Sequence, residues 1–150
     1  LTKLFPDYPE VDKAYYRIGL CSYNESLNPQ YTQEETIKSA EAFERFIDKF
    51  PNNEKRDKAI EYIRNCHIKL IHKSYYNGYI YYKLKDYSSA ELYLKEVIES
   101  QLHDEYEKKS YYYLAKIYKF WNDDYMLKQI MGEFEKYFAD SAIFKKLANQ

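Results

Sequence analysis

The sequence predicts an all-α protein built from consecutive antiparallel helix pairs. Three observations carry that prediction. Gly and Pro are scarce, three and four in 150 residues, far fewer than the turns of a β-sandwich or a doubly wound sheet require. Apolar residues recur at helical rather than alternating spacing. A pattern of small and large residues also returns at a fixed interval along the chain.

The interval is clearest in YNGYIYYKLKDYSSAELYLKEVI, where Gly78, Tyr81, Ala90, Leu94 and Val97 stand three, nine, four and three residues apart. This is the spacing of a tetratricopeptide helix pair. Gly78 and Ala90 are small where two helices cross closely, and Tyr81 and Leu94 fill the space beside them. Asp86, in the turn after Leu84, is placed to cap the second helix. Thirty-seven residues after Gly78 the template returns as Leu114, Ala115, Tyr118, Leu127, Met131 and Phe134. Upstream it returns as Ile18 and Gly19, then Ser39, Phe43, Phe46 and Pro51, interrupted by the polar stretch NESLNPQYTQEET. In that stretch Thr32 is the expected N-cap, with Glu35 three residues on.

The expected helices run Glu10–Asn24, Gln33–Phe50, Lys55–Leu84, Tyr87–Ser100, Asp104–Trp121, Asp123–Phe138 and Ser141–Ala148. Lys55–Leu84 reads as one long helix, with a break near His72 as the alternative. The chain is expected to be a single repeat domain over 1–150. Its helix pairs cover 9–50, 55–100 and 104–138, with a short terminal helix over 141–148. Pairs of this kind cannot bury their apolar faces alone, so they are expected to stack into a right-handed solenoid. The opening LTKLFPDYP reads as the end of a preceding helix, and the chain as a fragment lacking N-terminal repeats.

Composition narrows the function. The net charge is −1, so the broad basic surface on which nucleic-acid affinity rests is not expected. No apolar run approaches the roughly 20 residues of a membrane span. Cys21 and Cys66 both lie among apolar helical neighbours and are expected as buried free thiols, with a disulfide possible but not required. His67, His72 and His103 are scattered. Cys66 and His67, being adjacent, point to different helix faces, which is poor metal-site geometry. Carboxylates and lysines alternate at helical spacing, as in Glu91 and Lys95, and read as solvated pairs. No Gly-rich phosphate loop, nucleophile motif or zinc-protease motif is present. The sequence therefore predicts no enzyme, no cofactor and no small-molecule substrate; it predicts a protein-binding scaffold.

Tyrosine is in excess, twenty in 150 residues. An A/T-rich codon bias accounts for most of the excess, but the positions still carry information. Six and three residues before each small slot (Gly19, Gly78, Ala115), and one and four after it, lies a single stripe along the first helix of each pair. The stripe reads Lys13, Tyr16, Leu20, Tyr23; then His72, Tyr75, Tyr79, Tyr82; then Lys109, Tyr112, Lys116, Lys119. In a stacked solenoid this stripe lines the concave surface, unless the rings instead pack against neighbouring helices. Its flat apolar faces, hydroxyls and ammonium groups suit an extended segment with aromatic side chains and a carboxylate.

Read end to end, the chain resembles the BamD family of outer-membrane assembly lipoproteins. LFPDYPEVDKAYYRIGL resembles the family's F-P … A-Y-x-x-G-L opening of its middle repeat. NPQYTQEETIKSAEAFERFIDKFPNN resembles the polar insertion followed by A-x-x-x-F-x-x-F-I-x-x-Y-P-x-S, here with Ser39 for Ala, Phe50 for Tyr and Asn53 for Ser. DKAIEYIRNCHIKLIHKSYYNGYIYYKLKDYSSA resembles the family's long helix. The resemblance implies the last three of five repeats and a lipid anchor outside this chain. It implies a place at the periplasmic face of the outer membrane. The implied partners are the POTRA region of a BamA-like barrel protein and unfolded outer-membrane proteins, whose C-terminal segments would suit the stripe. Where the family can place an Arg in the second helix of its fourth repeat, this chain has Tyr93.

Overall fold

The computed structural model describes residues 9–149. Among them are seven α-helices and no strand. They are α1 (Val11–Glu25), α2 (Glu34–Lys49), α3 (Arg56–Lys83), α4 (Tyr87–Glu99), α5 (Glu105–Trp121), α6 (Asp124–Phe138) and α7 (Ala142–Ala148). Each differs from its expected span by a residue at most of its ends, and α3 is one unbroken helix through His72. The stretch LTKLFPDY, read as the end of an earlier helix, lies outside the described residues. Helices pack on their sequence neighbours in antiparallel order. The chain divides between Lys73 and Ser74 into two compact units.

In the first unit α1 and α2 close on the opening turns of α3. Tyr16, Phe43, Phe46 and Ala59 form the core, with Leu20, Tyr23 and Tyr62 packed against it. The crossing of α1 and α2 depends on Gly19. A Cβ there would stand 2.8 Å from the Phe43 ring, and Ser39 fills the facing small slot while its hydroxyl donates to the Gly19 carbonyl at 3.0 Å.

The polar insertion is organised differently from the expected capping box. α2 starts after Gln33, and Thr32 is not its cap. The Gln33 side chain is buried. Its amide nitrogen lies within hydrogen-bond reach of the Asn28, Tyr31 and Thr32 carbonyls at 2.9–3.1 Å. Its amide oxygen accepts from the Thr36 hydroxyl at 2.7 Å. A side chain with both donors and an acceptor can gather several loop carbonyls, which a threonine hydroxyl cannot. Cys66 is buried as expected, and burial raises its thiol pKa. Cys21 is instead exposed: it lies two residues after Gly19, and two residues is more than half a turn away from the crossing. Both thiols are free.

In the second unit the last turns of α3 meet α4 at Gly78. A Cβ at Gly78 would stand 2.8 Å from Leu94 Cγ and 3.3 Å from the Leu94 backbone nitrogen. Ala90, Leu94 and Val97 are fully buried, as are Leu114, Ala115 and Phe134 in the following pair. Leu127 and Met131 are only half-buried, and Ile130 turns inward with Phe134. The joins are tight. Asp86 accepts from the Ser89 N–H, Asp104 from those of Tyr106 and Glu107, Asp123 from that of Met126, and Ser141 from that of Phe144. Such caps each contribute about 1 kcal/mol.

The three glycines separate by environment, and this fixes opposite expectations. Gly132 has nothing within 4 Å of where a Cβ would be, so Gly132→Ala should stabilise the fold by about 0.5–1 kcal/mol through helix propensity. Gly78→Ala should destabilise despite the same propensity gain, because the new Cβ would press on Leu94 Cγ and its backbone rather than on the tip of a flexible side chain. Gly78→Leu should cost more than about 2 kcal/mol by overpacking. Denaturant unfolding of the three variants checks the order; a Gly78→Ala protein more stable than the parent would remove the close crossing from this account.

Candidate functional site

The stripe of first-helix residues has different fates in the two units. In the first unit Lys13 is exposed and paired with Glu10 at 2.8 Å. Tyr16 is 7% exposed, its ring set edge-on to Phe43 at 5.4 Å and Phe46 at 5.3 Å. Tyr62 of α3 stacks on Phe43 at 4.9 Å and meets Tyr23 edge-on at 4.7 Å. Leu20 joins the same cluster. Along α1 the Tyr16–Tyr23 part of the expected groove is therefore a packing seam, because α3 lays the Tyr62 ring against it. His72, later on α3, is half-buried.

In the second unit four stripe residues come together. Tyr75, Tyr79, Lys109 and Tyr112 line one cavity of about 410 Å³ together with Tyr113, Ile143 and Lys146. The cavity is formed by α3, α5 and α7, so the helices that lead each pair also frame the opening. Tyr75 is its floor, 7% exposed, with Tyr79 stacked on it at 6.2 Å and Tyr106 edge-on at 5.3 Å. Tyr79 meets Tyr113 at 5.5 Å, and Tyr113 meets Tyr112 edge-on at 5.3 Å. Lys109 stands 3.7 Å from Glu105, a carboxylate it shares with Lys108.

The remaining stripe residues brace this cavity or stand apart from it. Lys116 donates to the Tyr112 hydroxyl at 3.1 Å and lies over its ring at 5.0 Å, which fixes Tyr112 in place. That hydrogen bond is also the main reason the Lys116 pKa is raised. Tyr82 packs against Tyr113 at 4.7 Å and Tyr87 at 5.6 Å. Lys119 is exposed near the end of α5. Sequence reasoning missed Ile143 and Lys146, because α7 is too short to show a periodic pattern; their separation of three residues was the available signal.

The cavity offers flat ring faces, phenol hydroxyls and two ammonium groups. Such a surface suits an apolar or aromatic side chain beside a carboxylate. Among the described residues no group of three or more His, Cys, Asp or Glu side chains is arranged to hold a metal ion. No described helix is long and apolar enough to cross a membrane.

Burial decides the ionisation of the tyrosines. It is the leading cause raising the phenol pKa of Tyr16, Tyr75, Tyr82, Tyr111, Tyr113 and Tyr118. Tyr106 is pushed up to about 12, first by its hydrogen bond with Tyr76 and then by burial. Unfolded tyrosines ionise near 10. Above that pH the unfolded chain sheds protons that the folded chain keeps, so stability falls as pH rises. A phenolate absorbance titration should show one class of tyrosines ionising near pH 10 and a second class ionising only with unfolding. A single class titrating reversibly near the ordinary value would contradict this packing. No family model matches the chain, and no curated protein matches it.

Proposed function

We propose that the chain is a non-catalytic scaffold of the BamD type, folded as a right-handed tetratricopeptide solenoid. In this reading it serves β-barrel assembly at the periplasmic face of the outer membrane by holding extended protein segments. Its partners are the POTRA region of a BamA-like barrel protein and unfolded outer-membrane proteins. A lipid anchor outside this chain provides its only attachment to the membrane, and it uses no small-molecule cofactor.

One observation carries the reading. Tyr75, Tyr79, Lys109 and Tyr112, chosen by their offset from the small crossing residues, line one cavity of about 410 Å³. The equivalent crossings at Gly19 and Gly78 support the tetratricopeptide register on which that offset depends. At the Tyr93 departure the ring stacks on Tyr81 at 5.6 Å. Contact with a BamA-like partner at that point therefore rests on apolar packing rather than an Arg salt bridge. The surface from Lys95 to Lys136 is the preferred POTRA contact.

The test uses exposed parts of the cavity, since Tyr16 and Tyr75 are core residues whose removal would unfold the chain. Tyr112→Ala and Lys146→Ala should each weaken binding of an extended peptide ending in an aromatic residue with a free carboxylate. The expected loss is about tenfold, with helicity retained by circular dichroism. The purified chain should also capture the POTRA region with no cofactor added. Peptide binding without POTRA capture would favour a different tetratricopeptide adaptor. No peptide binding by the parent chain would end the reading.

A further inference from the structure

Charge around the tyrosine-lined cavity has one sign. Among the described residues its lining holds Lys109 and Lys146 and no Asp or Glu. A third ammonium stands behind the wall: Lys116 is half-buried, does not line the cavity, and donates to the Tyr112 hydroxyl oxygen at 3.1 Å. The three lysines differ in what already holds them. Lys109 stands 3.7 Å from Glu105, which Lys108 also binds. Lys146 is exposed on α7. Lys116 has a phenol as its partner, and the groups that act on its charge are Tyr112 and Tyr82, with no carboxylate beside them.

An ammonium drawn partly out of water is costly unless an opposite charge meets it. A neutral phenol offsets only part of that cost, so the pair at Tyr112 and Lys116 is electrostatically incomplete. The contact also changes what Tyr112 can do. A phenol has one O–H to donate and lone pairs to accept with. With a lone pair turned to Lys116, the proton must point away from it, while the ring remains a wall of the cavity. That ring is held between the Lys116 ammonium at 5.0 Å and the Tyr113 ring, edge-on at 5.3 Å. Tyr112 is thus a fixed donor backed by a positive charge, beside the apolar faces of Tyr79, Tyr113 and Ile143.

We propose, on the reading of this cavity as a peptide site, that it selects the free α-carboxylate at the end of a polypeptide over an internal segment, and that Lys116 is the positioning residue that sets this selectivity through Tyr112. The terminal aromatic ring lies against Tyr79 and Tyr113. One carboxylate oxygen accepts from the Tyr112 hydroxyl, and the other faces the Lys146 ammonium. Hydrogen bonds to an ionised acceptor are the strong ones, and a lining without carboxylates offers the incoming charge nothing to repel it. An internal segment presents a neutral carbonyl at the same place and gains the ring contacts alone.

The test measures binding of two versions of one extended peptide ending in phenylalanine. One has a free C-terminal carboxylate; the other is amidated, which removes the terminal charge. The whole chain should bind the free acid about tenfold more tightly than the amide. Tyr112→Phe, which keeps the ring, and Lys116→Met, which keeps the bulk of the side chain, should each reduce that ratio to about threefold or less. Neither should change affinity for the amide or helicity. Lys116→Arg should restore the ratio. Lys119→Met removes the same charge from the same helix, one turn on and away from the cavity, and should leave the ratio as it is.

Equal binding of acid and amide by the parent chain would overturn the selectivity while leaving the cavity a peptide site. Equal losses in Lys116→Met and Lys119→Met would overturn the role of Lys116, because net charge alone would then be felt. If Lys116→Met lost helicity, Tyr112→Phe would decide: an unchanged ratio there removes the hydroxyl from the site. Binding of neither peptide would end the reading of the cavity and the proposed selectivity with it.

Discussion

Everything in this protein depends on how closely its helices can cross. At Gly19 and Gly78 the missing side chain lets a large residue of the next helix, Phe43 or Leu94, sit directly on the backbone. Ala115, thirty-seven residues after Gly78, is fully buried as well. Once a crossing is fixed, the residues one turn to either side can only point in a few directions. That sets which face of each helix is core and which is left for partners. Packing at these points is jigsaw-like, so even one added carbon is felt.

The tyrosines show how one residue type serves two ends under this constraint. Tyr16 and Tyr75 each stand three residues before a crossing glycine, and both are buried. Around Tyr16 the Tyr62 ring of α3 completes the core. Around Tyr75 the neighbouring positions carry Tyr79, Tyr112 and Tyr113, and a cavity remains between them. A phenol tolerates both settings because its ring packs like a hydrocarbon while its hydroxyl can stay at an edge. The lysines sharpen the difference: Lys116 braces Tyr112, and Lys146 brings charge to the rim.

Most of the fold was legible because its signals are local. Helix spacing, capping residues such as Asp86 and Asp123, and scarce glycines act over a few residues and survive in a bare sequence. The insertion before α2 was read less well. Gln33 binds backbone carbonyls that have no sequence identity, so nothing distinguished it from its polar neighbours. Cys21 was misread because apolar neighbours along the chain are not neighbours in space on a helix. The candidate site was legible as a stripe, but not its outcome. Whether a tyrosine face is covered depends on rings such as Tyr62, which lie far along the sequence. The contribution of α7 was hidden by its brevity.

The sequential packing of the second unit has a consequence for how it comes into being. α4 touches α5, α5 touches α6, and α7 rests on α5 and α6, the two helices that precede it. Each partner is therefore already synthesised when the next helix emerges, and few contacts wait on distant chain. Low contact order of this kind favours folding in microseconds to milliseconds. It also limits the time for which the apolar faces of the nascent helices stay open to other chains. For a protein read here as handling unfolded polypeptides, this unit can complete its own core before it meets another chain with exposed apolar surface.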